Sequence, residues 1–109
     1  MAVFRTSPQG RGLGIVGCVL QPMLIARTDE WYDYRTNPRG EVNVLLTLDE
    51  DSYSGGEMGD DHPSAWFHEF SGGRSWYTGG GHTSDSYSED DFRAHILGGA
   101  YSTRSGSTC

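Results

Sequence analysis

Hydrophobic and polar residues follow a different rhythm in each part of the chain. The densest apolar run is Val42-Asn43-Val44-Leu45-Leu46-Thr47-Leu48, whose β-branched and aliphatic content predicts a strand buried on both faces. It stops at Asp49-Glu50-Asp51, which sets a polar strand end toward a cleft. Upstream, Asn37-Pro38-Arg39-Gly40 is a strong turn signal; downstream, residues 52–63 hold Gly55-Gly56, Gly59 and Pro63 and read as a loop. Residues 65–70 and 74–78 are aromatic-rich and flank Ser71-Gly72-Gly73, which predicts a hairpin and so antiparallel pairing. Gly79-Gly80-Gly81-His82 leaves the second of these strands. Ser88-Glu89-Asp90-Asp91 then has the composition of a capping box, with acids at the positive end of a helix. Phe92, Ile96 and Ala100, with Leu97 beside them, form the expected apolar face. Gly98-Gly99 weakens that helix by about 1 kcal/mol each relative to Ala, unless close packing needs the bare backbone.

The first 26 residues have another texture. Arg5 and Arg11 precede Leu13-Gly14-Ile15-Val16-Gly17-Cys18, and Ile15-Val16-Gly17-Cys18 has the look of a lipoprotein cleavage box. The apolar stretch before Cys18 is shorter than the ~7–15 residues of an export signal and far too short to span a bilayer. Residues 1–26 are therefore read as an irregular leader, and a cytoplasmic location is favoured over a secreted or lipid-anchored one. Residues 102–109 are rich in Ser, Thr and Gly and read as a flexible tail. Three strands and one helix form an α/β pattern that leaves one sheet face uncovered. Elements on the N-terminal side are thus expected to be missing, and an oligomer or a partner domain is expected over the exposed sheet.

Composition narrows the function classes. The 109 residues hold 16 Gly and few bulky aliphatics, but 4 Phe, 3 Trp and 6 Tyr argue for a folded, thinly cored domain. All 8 basic residues are Arg, which excludes Schiff-base chemistry and a P-loop lysine on this chain. A net charge of -7 without a basic stripe makes nucleic acid and anionic membrane surfaces poor partners. Cys18 and Cys109 have neither a disulfide framework nor zinc-ligand spacing.

Candidate chemistry centres on histidines and on one acidic aromatic cluster. His82 follows a glycine run at a strand end, where backbone approaches a ligand and imidazole serves as general base or hydrogen-bond donor; the alternative is a loop staple to Asp85. Glu30 and Tyr32, in Asp29-Glu30-Trp31-Tyr32, pair a carboxylate for sugar hydroxyls with an aromatic face for sugar rings, against packing of Trp31 and Tyr32 in the core. Glu30, Tyr32, His62 and His82 are expected to face one crevice. His95, beside the apolar helix face, reads as structural. Asp60, Asp61 and His62 with His82 would make an oxygen/nitrogen metal site if the loops converged, but no spacing enforces it; no metal and no cofactor are expected.

The order of motifs then resembles a known family. Thr28-Asp29-Glu30-Trp31-Tyr32, Val44-Leu45-Leu46-Thr47-Leu48-Asp49-Glu50, Tyr53-Ser54-Gly55-Gly56, Asp61-His62-Pro63 with Trp66, Trp76-Tyr77-Thr78, Gly81-His82-Thr83 and Phe92-Arg93 with His95-Ile96-Leu97-Gly98-Gly99 resemble the C-terminal half of ThuA-like (trehalose utilisation) domains. The resemblance covers residues 27–101. It implies a partial flavodoxin-like, class I glutamine amidotransferase-like three-layer α/β domain whose N-terminal half is missing, since such domains usually exceed ~200 residues. It also implies a role in carbohydrate utilisation with a trehalose-like or keto-sugar ligand. The alternatives are a noncatalytic sugar-binding or interaction module attached to a secreted glycosyl hydrolase, or an inactive truncated fragment. His82 falls near the position where amidotransferase relatives keep a catalytic histidine; the elbow that carries their nucleophilic cysteine has no counterpart in the matching region. Glutamine amide transfer is therefore disfavoured.

Overall fold

A computed structural model describes residues 2–6 and 24–105. Five strands form one sheet: β1 (Ala2–Thr6), β2 (Leu24–Arg27), β3 (Asn43–Asp49), β4 (His62–Phe70) and β5 (Gly73–Thr78), with one helix, α1 (Asp90–Ser105). The strand order is β2-β1-β3-β4-β5, and every neighbouring pair is antiparallel. The molecule is thus a small mixed α/β unit with an antiparallel sheet. The parallel strand pairs of a flavodoxin-like sheet do not occur among the described residues.

The leader expectation is corrected at both of its ends. Residues 2–6 and 24–27 are strands, and β1 lies next to the central strand with Phe4 opposite Leu48. The reason is alternation: Ala2 and Phe4 turn inward and are buried, while Arg5 between Phe4 and Thr6 is exposed. The segment between them, including the cleavage-box residues up to Cys18, lies outside the described residues.

In β3, Val44, Leu45 and Leu46 are consecutively buried, so both faces of the strand are covered as its composition implies. The core gathers Ala2, Phe4, Leu45, Leu46, Leu48 and Ala65, with Trp31, Tyr53, Phe67 and Trp76 packed against it. Each fully buried Leu or Phe contributes about 1.5–3 kcal/mol. β4 starts at His62, earlier than the loop reading allowed. Pro63, which has no N–H to give the ladder, is tolerated because the register shifts there: Leu46 faces Ala65, Thr47 faces Pro63, and Ser64 is left over. The Ser64 carbonyl instead accepts the Gly79 N–H at 2.8 Å. The hairpin forms where expected, but its loop is Ser71 and Gly72 alone, with Gly73 already paired to Phe70 in β5; Ser71 at φ 50 and Gly72 at φ 80 give the primed geometry that suits strand twist.

The helix buries a different stripe from the one its apolar residues suggest. Phe92, His95 and Gly99 face inward, whereas Leu97 is 69% exposed and Ala100 is exposed. Close approach decides this, because a Cβ on Gly99 would collide with the Trp76 ring. His95 fills the middle of the stripe, its Nε2 at 2.9 Å from Thr78 Oγ1 and its ring 4.9 Å from Trp76, which fits the structural reading. Trp76 and Tyr77 point to opposite faces of β5, so α1 covers the Trp76 face. Tyr34 covers the other, edge-on to Trp66 and Tyr77. The helix continues through residues 102–105, where a flexible tail was expected; residues 106–109 lie outside the described residues. Among the described residues no helix is long and apolar enough to cross a membrane.

Candidate functional site

At one end of the sheet β3 and β5 finish and β4 begins. The irregular segment after β2 runs across this end, touching the loop after β5 through Asp29 and the start of β4 through Tyr32. Every candidate group lies along this line of contact.

Asp29 is its anchor. Its carboxylate is fully enclosed and accepts six hydrogen bonds: from the N–H groups of Gly81 (2.7 Å), His82 (3.0 Å), Thr83 (3.3 Å) and Glu30 (2.9 Å), from Ser86 Oγ (3.1 Å) and from Arg27 Nη1 (2.9 Å). Arg27 is itself buried, lies 4.4 Å over the Phe92 ring and holds Glu89 with its Nε at 2.8 Å. Burial alone would raise the Asp29 pKa, but the Gly81 and Glu30 amides and the Arg27 guanidinium outweigh it and lower it to about 2. Gly81 stands at φ +98, and a Cβ there would meet Tyr87 and Phe92. The glycine run does let the backbone approach an anion, and that anion is the chain's own carboxylate.

The loop so fixed presents His82. Its Nε2 lies 2.8 Å from Glu30 Oε2, and the two side chains are 56% and 51% exposed. The structure therefore brings Glu30 and His82 together, with Glu30 rather than Asp85 as the histidine's partner. Tyr32 turns its ring outward at 46% exposure, whereas Trp31 packs edge-on against Phe4 at 4.8 Å in the core. The acidic aromatic cluster thus divides into an exposed half and a core half.

His62 is elsewhere. It is 1% exposed, with Nε2 at 2.8 Å from the Tyr32 carbonyl and Nδ1 at 2.7 Å from Glu50 Oε2. Asp33 Oδ1 stands 4.0 Å from Nδ1, and Tyr53 Oη 3.3 Å from it. His62 touches the Glu30–Tyr32 segment only through the Tyr32 backbone. Asp61 does not join it: its two oxygens form a fork with Arg39 at 2.7 Å each, and this pairing holds its pKa below the usual carboxylate range. Arg39 in turn sits in the one-turn helix Pro38–Gly40 that Asn37 caps. The oxygen/nitrogen cluster that forms is therefore Asp33, Glu50 and His62 in place of Asp60, Asp61, His62 and His82; it is the group with metal-ligand proximity among the described residues.

Glu50 also organises the loop that follows β3. Burial tends to raise its pKa, yet the N–H groups of Met58 (2.8 Å) and Gly59 (3.0 Å) and the His62 ring together lower it. Burial, with the Glu50 and Asp33 charges nearby, pushes the Tyr53 phenol up to about 12. A cleft of about 340 Å³ opens beside this group, lined by Arg5, Asp49, Glu50, Asp51 and Asp60 among others.

Asp29, Asp33 and Glu50 carry no local sequence signal as site residues. Glu50 could have been suspected from its place at a polar strand end; four of the six partners of Asp29 are more than fifty residues away along the chain. Comparison with known proteins bears on what the site serves. A family model described as "ThuA: Trehalose utilisation" matches residues 19–101. No curated protein and no solved structure matches the chain.

Proposed function

The chain belongs to the ThuA (trehalose utilisation) family, and from that premise we propose that it serves carbohydrate utilisation by binding a trehalose-like or keto-sugar ligand at the edge formed by Glu30, Tyr32 and His82. Family membership also supports placing the domain in a flavodoxin-like, class I glutamine amidotransferase-like architecture.

The observation that carries the reading is the exposed His82–Glu30 pair at 2.8 Å on a backbone that Asp29 holds in place. A carboxylate oxygen only accepts, so Nε2–H of His82 donates to Glu30 and that tautomer is fixed; the neutral ring then carries its lone pair on Nδ1. A ring oriented in this way takes a proton from a sugar hydroxyl, or returns one, at Nδ1. Tyr32, exposed and two residues along from Glu30, adds an apolar face for a sugar ring. His62 supports the same segment from below by donating to the Tyr32 carbonyl. The reading covers both a binding module and an enzyme; turnover of the ligand separates them.

The test is a titration of the chain with trehalose and with a 3-keto disaccharide, followed by amide and histidine resonances. Shifts confined to residues 29–32 and 81–83, weakened ~10-fold or more in His82→Ala and Tyr32→Ala, support the proposal. Saturable binding that both variants leave unchanged, or no binding by the folded chain, overturns it.

A further inference from the structure

Asp33, Glu50 and His62 come from three separate segments: the crossing after β2, the turn that ends β3, and the first residue of β4. One ligand atom from each lies within 4.8 Å of the other two. The protons on His62 show what belongs between them. Nε2 faces a carbonyl, which only accepts, so Nε2 carries a proton. In a neutral imidazole Nδ1 is then a lone pair, and here it faces the Glu50 carboxylate at 2.7 Å with Asp33 Oδ1 behind it at 4.0 Å. Lone pair against carboxylate is repulsive, and a ring this deeply buried has little water to screen it. The Tyr53 hydroxyl, 3.3 Å from Nδ1, supplies a hydrogen bond but no charge. Something electropositive belongs between Nδ1 and the two carboxylates, and a shared proton and a metal ion are the two candidates.

The 2.7 Å contact is that of a hydrogen bond, and it is the third group, Asp33, that points past a proton to a metal. A proton joins His62 to Glu50 alone, leaves Asp33 beyond hydrogen-bond reach and leaves the three groups with a net negative charge. A dication meets one imidazole nitrogen and two carboxylate oxygens and neutralises them. The surroundings are those of a ligand set. The far nitrogen of His62 is fixed on a backbone carbonyl, and both carboxylates are steadied by N–H groups, Glu50 by Met58 and Gly59 and Asp33 by Glu57 at 2.8 Å. Glu50 also lines the cleft whose wall carries Asp49, Asp51, Asp60 and Arg5; Arg5 is paired with Asp49, and the acids of the wall outnumber it.

We propose that Asp33, Glu50 and His62 Nδ1 bind a divalent transition-metal ion, with zinc the best match to one imidazole and two carboxylates. Three protein ligands leave a coordination position for water or for a ligand oxygen. The site stands independently of the His82–Glu30 reading.

Zinc chloride added to the intact chain is the probe, read by calorimetry and by nitrogen-15 resonances of the histidines. One equivalent is expected to bind, moving the His62 Nδ1 resonance while the Nε2 proton stays on the Tyr32 carbonyl. Glu50→Gln and Asp33→Asn are each expected to weaken binding ~10-fold or more. Asp33 is exposed, so its variant keeps the test decisive if the Glu50 variant fails to fold. Asp61→Asn, which alters the contacts of Asp61 with Arg39 and Asn37 and none with the three ligands, should leave the affinity unchanged. Absence of saturable binding with both His62 nitrogens protonated at neutral pH would assign the charge to a proton and overturn the proposal. So would zinc binding that neither Asp33→Asn nor Glu50→Gln alters.

Discussion

The two histidines at the loop end of the sheet are held in opposite ways. In the His82 loop the backbone is fixed, through the Asp29 carboxylate, and the side chain is left in solvent against Glu30. At His62 the side chain is fixed, with both ring nitrogens engaged at 2.7 and 2.8 Å and the ring sealed from solvent. The first arrangement keeps an imidazole available to an outside molecule. The second uses one to join three segments, and it is available only to something small enough to reach Nδ1. Residue type alone does not distinguish them; what each one's neighbours are anchored to does.

The contrast assigns the stability of the His82 loop to Asp29 and not to His82. Asp29→Ala is therefore expected to have the largest effect on folding. It strips three consecutive loop N–H groups and the Ser86 hydroxyl of their acceptor and removes one carboxylate from the buried Arg27. Loss of one partner from a buried pair costs about 3–5 kcal/mol. Urea unfolding should register it, and amide exchange at residues 81–83 should accelerate even where the sheet stays protected. A variant as stable as the parent would show that the loop is held by something other than this carboxylate.

His62→Ala comes next, at about 2–3 kcal/mol, since it leaves a cavity at a buried position and takes one partner each from Glu50 and the Tyr32 carbonyl. Measured without added metal by thermal unfolding, the loss should fall on the sheet itself, because His62 is paired with Leu48 in the β3–β4 ladder. An effect as small as that of a surface residue would erase the distinction between the two histidines.

Acid is the third probe, and its direction follows from Asp29. The folded pKa of about 2 lies below the ordinary carboxylate value of 3.8, so the folded state binds this proton less readily than the unfolded chain. The stabilisation is complete above the unfolded value and disappears as pH falls through the folded one, between about pH 4 and pH 2. A shift of this size in an enclosed carboxylate corresponds to about 2 kcal/mol. Asp29→Asn should flatten that part of the pH profile; an unchanged acid limb would place the titrating group elsewhere.

How much of this was legible in the sequence depends on the reach of the forces involved. The β3 run, the Ser71-Gly72 hairpin and the position of α1 rest on neighbours a few residues apart, and local pattern reveals them. β1 was hidden because five residues of alternation look like a leader until Leu48 and Ser52 are known to lie alongside. The helix face was rotated because a glycine, which carries no hydrophobic signal, is what Trp76 requires. At the site, residue type singles out Glu30 and His82 as candidates but not their pairing, and Asp29, Asp33 and Glu50 act through partners that only the fold supplies.

The smallest expected effect on stability is the sharpest on function. His82→Ala removes a contact between two half-exposed side chains, which solvent already screens, so unfolding free energy should change by no more than about 0.5 kcal/mol. The loop should keep its shape, because the His82 N–H that Asp29 accepts belongs to the backbone and survives the substitution. If His82 serves a sugar ligand, binding must fall in a variant that folds and melts like the parent, and Glu30→Gln, which keeps an acceptor but loses the charge, should fall between the two. Equal losses of stability and binding would mean that His82 acts through the fold, as His62 does, and the two histidines would no longer differ in kind.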